Sequence, residues 1–187
     1  MAGAQKQAPI EGRTMGFVDE SGLYLLPGLA RPDAPCGQTP ILRSVYPRAH
    51  VSVMRGLTMD GRLYTLVRDD ALDSLDSVIF LTHLRPHVSE KLLVIWDGSP
   101  MHQGHVRTCL AAGGARQMHV EQLPPSAPDL TPGEGVWQHL KHVDMQNLGC
   151  VNLPHLRNEL QLAITRLRRK PHGLTACFAQ AGLSVET

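Results

Sequence analysis

The stretch Leu92-Leu93-Val94-Ile95-Trp96-Asp97 decides the fold. Five apolar residues in unbroken succession are what a central strand carries when both of its faces are covered, because neither side needs polar residues for water. The run predicts a buried strand that ends at Asp97. Outward toward the N-terminus, Val78, Leu81, Leu84 and Val88 recur at helical spacing. Asp73-Ser74 stands where a cap would start that helix. Further upstream the period falls to two. Val51 to Leu57 and Arg62 to Val67 flank Met59-Asp60-Gly61, and an Asp-Gly pair between β-rich runs signals a hairpin. Met15 to Val18 reads as a strand, Asp19-Glu20-Ser21-Gly22 as a break, and Leu23 to Leu26 as a strand beyond it. The chain therefore opens with an antiparallel meander of three strands.

Outward toward the C-terminus, a short helix is expected over His102 to Ala112 and a strand over Val120 to Leu123, before the turn-rich Pro124-Pro125-Ser126-Ala127-Pro128. A helix from Pro132 to Leu148 follows. Another carries Leu156, Leu160, Ala163, Ile164 and Leu167 on one face and stops before Pro171. Three antiparallel strands followed by alternating strands and helices make an α/β mixed sheet with helices on both faces. The expected organisation is a loose leader over residues 1–13, one domain over 14–171 and a C-terminal tail over 172–187.

Composition limits the alternatives. A length of 187 residues suits one domain. A formal net charge of +1 and 4% aromatic residues give no global positive field, so any nucleic-acid contact must be local. Cys36, Cys109, Cys150 and Cys177 form no C-x-x-C pair, which argues against a zinc ribbon or a disulfide framework and for reduced thiols. No run of apolar residues is long enough to span a bilayer, and the first residues lack the apolar core of a signal peptide, so a cytosolic protein is expected.

Two acidic residues occupy awkward places. Asp19 interrupts an apolar strand and Asp97 ends the most apolar one. A carboxylate beside a buried strand is costly to desolvate unless it is paired or binds a cation. Asp97-Gly98-Ser99-Pro100 is also a good turn sequence, so position alone supports a cation ligand and a turn cap alike. Glu134 has an ordinary reading too. Thr131 as N-cap, Pro132 at the first helical position and Glu134 three residues after the cap make a capping box; the alternative is a metal ligand on the first helical turn.

Three blocks join these residues. Phe17-Val18-Asp19-Glu20-Ser21, Ile95-Trp96-Asp97-Gly98-Ser99-Pro100-Met101-His102, and Leu123 to Trp137 with its Pro124-Pro125, Asp129-Leu130 and Pro132-Gly133-Glu134 resemble the catalytic blocks of DDE transposases, in the bacterial insertion-sequence branch related to mariner elements. The likeness runs from about Gly16 to Pro171, with 36 residues between Asp97 and Glu134. It implies a ribonuclease-H-like fold and two divalent ions, Mg²⁺ or Mn²⁺, held by Asp19, Asp97 and Glu134 as metal ligands and catalytic residues. Glu20, His102 and Asp129 are weaker candidates from the same blocks. The implied activity is metal-dependent DNA cleavage and strand transfer at insertion-element ends, in the bacterial cytoplasm and at the nucleoid when acting. The family pattern usually has asparagine at Gly98 and Thr131, an aromatic at Ser126 and tryptophan at Asp33. Full-length relatives carry an N-terminal helix-turn-helix region, which thirteen leader residues cannot hold. The expected partners are therefore DNA, element ends and target alike, with a second copy of the chain or a separately encoded helix-turn-helix domain. The alternative is a truncated remnant that folds without acting.

Other constellations are weaker. His102 with His105, His139 with His142, and His83 with His87 have helical spacings that suit zinc, but ten histidines produce such pairs readily. Arg166, Arg168, Arg169 and Lys170 suit either phosphate contacts or a helix C-terminus. Trp96 and Trp137 read as packing residues.

Overall fold

A computed structural model describes residues 12–25, 49–88, 91–96, 104–112, 118–123, 131–146 and 148–183. The predicted central strand is present as β4, Lys91–Trp96, and every residue from Leu92 to Trp96 is buried. It lies between β1, Arg13–Tyr24, and β5, Met118–Gln122, parallel to both. On the other side of β1, β2, His50–Thr58, and β3, Leu63–Arg68, pair antiparallel, so the sheet order is β3-β2-β1-β4-β5.

Alternation along the strands divides the core in two. Phe17, Val53, Leu57, Leu93 and Ile95 face one side, and Val18, Met54, Leu92, Val94 and Trp96 face the other. The second face is covered by α1, Ser74–Leu84, through Phe80, Leu81 and Leu84, and by α2, Gly104–Ala111, through Val106. The first is covered by α3, Gly133–His139, by α4, Leu153–Arg168, and by α5, Pro171–Gln180. The expected mixed sheet with helices on both faces is observed. Among the described residues, no helix is long and apolar enough to cross a membrane.

The β2–β3 connection forms where Asp60-Gly61 marked it. Gly61 has φ +78°, a conformation that disfavours side chains, and a Cβ there would meet the Pro171 carbonyl oxygen at 3.0 Å. The cap on α1 is also as expected. The Asp73 side chain accepts from the Leu75 and Asp76 backbone N–H groups, and the Asp76 carboxylate in turn accepts from the Asp73 backbone N–H. Asp73→Ala removes this box, and an expected loss of about 1 kcal/mol is measurable by urea unfolding.

Four expectations change. Asp19-Glu20-Ser21-Gly22 is no break: β1 runs through it, because β2 pairs it residue by residue, from Asp19 with Arg55 to Gly22 with Ser52. The helix expected to Leu148 is α-helical only to His139 and continues as a π-helical turn, Leu140–Asp144, in which the Met145 N–H donates to the Leu140 carbonyl. Its N-cap is Pro132 with no side-chain bond, so Thr131 and Glu134 do not form the expected capping box. The segment assigned to a C-terminal tail contains α5, whose Leu174 and Phe178 are buried in the core, so a boundary at residue 171 cuts through a packed helix.

Candidate active site

At the end of β1 beyond its pairing with β4, Asp19 reaches the N-terminal turn of α3. Asp19, Glu20, Glu134, Trp137, Lys141 and His142 line one cleft of about 440 Å³. Two of the three predicted ligands, Asp19 and Glu134, are thus brought together from distant parts of the chain. Asp97, His102 and Asp129 lie outside the described residues; Asp97 directly follows Trp96, the last residue of β4.

The Asp19 carboxylate is held on three sides. Its Oδ1 accepts the Glu20 backbone N–H at 2.8 Å, while Oδ2 accepts the Trp137 indole N–H at 2.8 Å and an Arg55 N–H at 3.3 Å. Its side chain remains 21% exposed. Oδ1 has a lone pair beyond this one bond. Glu134 is exposed on the first turn of α3, where a helix N-terminus favours negative charge. Hard oxygen donors on an open polar cleft fit Mg²⁺ or Mn²⁺ better than a softer metal. Among the described residues, no group of three His, Cys, Asp or Glu side chains stands ready to hold a metal.

Three site residues escaped the sequence reading. Arg55, on β2, is fully buried beneath Asp19, with its guanidinium 5.3 Å from the Trp137 ring centre. Desolvation pushes its pKa down, against the opposing pull of Asp19. The signal was available: Arg55 alternates in register with the apolar Val51, Val53 and Leu57. Trp137 is packed as expected, but it also orients Asp19. Lys141 lies on the π-helical turn and its ammonium donates to the Ser21 hydroxyl at 2.6 Å. Such turns are frequent at functional sites.

Of the remaining constellations, His83 with His87, His139 and part of the basic run make contacts within the fold, while His102 of the His102–His105 pair lies outside the described residues. His87 bonds the His83 backbone carbonyl, and His139 lies 3.4 Å from Asp144. Arg166 bonds Asp144, and Arg168 bonds the Leu63 carbonyl and Thr65 hydroxyl, so half of the basic run is engaged within the fold. Cys109, Cys150 and Cys177 are free thiols.

Residues 14–147 match the family profile described as DDE superfamily endonuclease. No curated protein sequence is significantly similar to the chain. Among solved structures, the Mos1 mariner paired-end complex with Mn is similar at a TM-score of 0.65 and 16% identity, over 97% of this chain and 60% of that one. The Mos1 paired-end complex with Mg gives 0.61 and 16%, over 92% and 57%. The catalytic domain of Mos1 mariner transposase gives 0.58 and 14%, over 97% and 90%. The chain thus spans about 60% of the length of the Mos1 chain in the complex with Mn and most of that catalytic domain. These likenesses establish the ribonuclease-H-like fold expected from the sequence.

Proposed function

The chain belongs to the DDE superfamily endonucleases, and from that premise we propose that it is a transposase catalytic domain that cuts DNA at the ends of an insertion element and joins the freed end to a target. The observation that carries the proposal is the meeting of Asp19 and Glu134 in one polar cleft. Asp97, one peptide bond beyond β4, is the third carboxylate of the proposed set. β4 is the parallel neighbour of β1, and the last pair in their register is Phe17 with Ile95, each two residues before its aspartate. Mos1 complexes with Mn and with Mg support the choice of divalent ion.

Asp19, Asp97 and Glu134 would hold two such ions, whose chemistry is to activate an attacking oxygen and to stabilise a leaving one. The chain's own contribution is placement. Trp137 and the Glu20 N–H fix the Asp19 carboxylate in one orientation. The first turn of α3 presents Glu134 across the cleft, and Lys141 supplies a cation at its wall that suits a phosphodiester. Water attack on a phosphodiester at the element end breaks its P–O3′ bond, leaving a 3′-hydroxyl and a 5′-phosphate; that hydroxyl then attacks a phosphorus of target DNA, forming a new phosphodiester as the target's own 3′-oxygen leaves. No serine or cysteine nucleophile is required. The partners on this reading are element-end and target DNA, with a second copy of the chain or a separate helix-turn-helix domain supplying recognition. Glu20, His102 and Asp129 are proposed as accessory residues around the carboxylates.

The test is nicking of the element's own terminal DNA with Mg²⁺ or Mn²⁺, with a recognition domain added in trans. The wild-type chain is expected to cleave only with metal, and Asp97→Ala to fall to background. Absence of metal-dependent cleavage by the wild-type chain would sink the proposal.

A further inference from the structure

Arg55 is the one ionisable side chain among the buried polar residues described, and its position ties the elements of the carboxylate site together. It stands directly opposite Asp19 in the β1–β2 register, with its Nη2 3.3 Å from the Asp19 carboxylate. Gly133, the residue before Glu134, lies against the same nitrogen. A Cβ at Gly133 would fall 1.5 Å from Arg55 Nη2, so the guanidinium occupies space that any side chain at Gly133 would claim. Trp137 covers its face. Its Nε and Nη1 have no hydrogen-bond partner among the described residues. Hydrogen bonding therefore satisfies this cation poorly; burial lowers its pKa, against the pull of Asp19 and, more weakly, of Cys177 and Glu134. Arginine stays protonated in such places because its intrinsic pKa is so high.

We propose that Arg55 is a built-in counter-ion of the carboxylate site: seated between Asp19 and the Gly133–Glu134 turn, it takes up negative charge that divalent cations would otherwise neutralise, and so sets their affinity below that of the carboxylates alone. The inference rests on the reading of Asp19 and Glu134 as metal ligands. A fixed positive charge a few ångströms from a divalent cation repels it, and the repulsion is strong where water is excluded. Arg55 is a positioning residue in this scheme, since it acts through Asp19.

The probe is Mn²⁺ alone, titrated into the full chain and followed by the loss of free-Mn²⁺ signal in electron paramagnetic resonance. Arg55→Met keeps the bulk and removes the charge; it is expected to tighten Mn²⁺ binding by about tenfold or more. Arg55→Lys keeps the charge and is expected to bind within about threefold of wild type. Gly133→Ala alters no ionisable group but evicts the guanidinium from its gap, and it is expected to tighten binding in the same direction. This variant carries the test should Arg55→Met fail to fold. Wild-type binding that Arg55→Met and Gly133→Ala leave unchanged or weaken overturns the inference and leaves the metal-site reading standing. No Mn²⁺ binding by wild type or any variant overturns both.

Discussion

Phe178→Ala is expected to lower the unfolding free energy by about 3–5 kcal/mol. Phe178 is fully buried on α5 and meets Phe17 edge to face, with ring centres 5.6 Å apart and planes at 69°. Truncation loses the transfer free energy of the ring and leaves a cavity between α5 and the sheet, and the aromatic pair contributes about another 0.5–1.5 kcal/mol. In a domain of this length the midpoint of thermal unfolding should fall by roughly 6–20 °C. Phe17 is two residues before Asp19 on β1, so the same contact anchors the strand that carries the first carboxylate. Thermal melts followed by circular dichroism decide the matter. A fall of less than about 1 kcal/mol would mean that α5 does not pack against β1 as described. The result also bears on the domain boundary, since α5 lies beyond the span matched by the family profile.

Asp19→Ala should destabilise the protein by about 3–5 kcal/mol, the cost of leaving a buried charge without its partner. Arg55 is fully buried, and Asp19 is its ion-pair partner among the described residues. The exposed Glu134 has no comparable buried partner among the described residues, so Glu134→Ala should shift stability by no more than about 0.5 kcal/mol. The two substitutions thus separate chemistry from folding: both remove a proposed ligand, and only one removes a structural ion pair. The double variant Asp19→Ala/Arg55→Met should recover most of the loss, because replacing both members of a buried pair by apolar groups is often neutral or better. Urea unfolding of wild type, both single variants and the double variant gives the four free energies. Equal stability of Asp19→Ala and wild type would show that Arg55 is satisfied without Asp19.

Much of the fold was legible in local patterns. The unbroken run Leu92 to Trp96 marked the buried central strand, Asp60-Gly61 the hairpin, Asp73 the cap of α1, and the spacing of Leu156 to Leu167 the buried face of α4. These features are set within a few residues of chain, where periodicity and turn chemistry act. The candidate site was legible differently. In the sequence Asp19 is an awkwardly placed acid and Glu134 an ordinary one, and only their block context joins them. What the tertiary structure alone decided is how Asp19 is kept. Whether a charged residue can sit within a strand depends on what the neighbouring strand places opposite it. That choice is made by the β1–β2 register, which brings Arg55 across from Asp19, and by helix packing, which adds the Trp137 indole and the space above Gly133. Register and helix docking are set by burial of residues far apart in the chain, so no local window contains them.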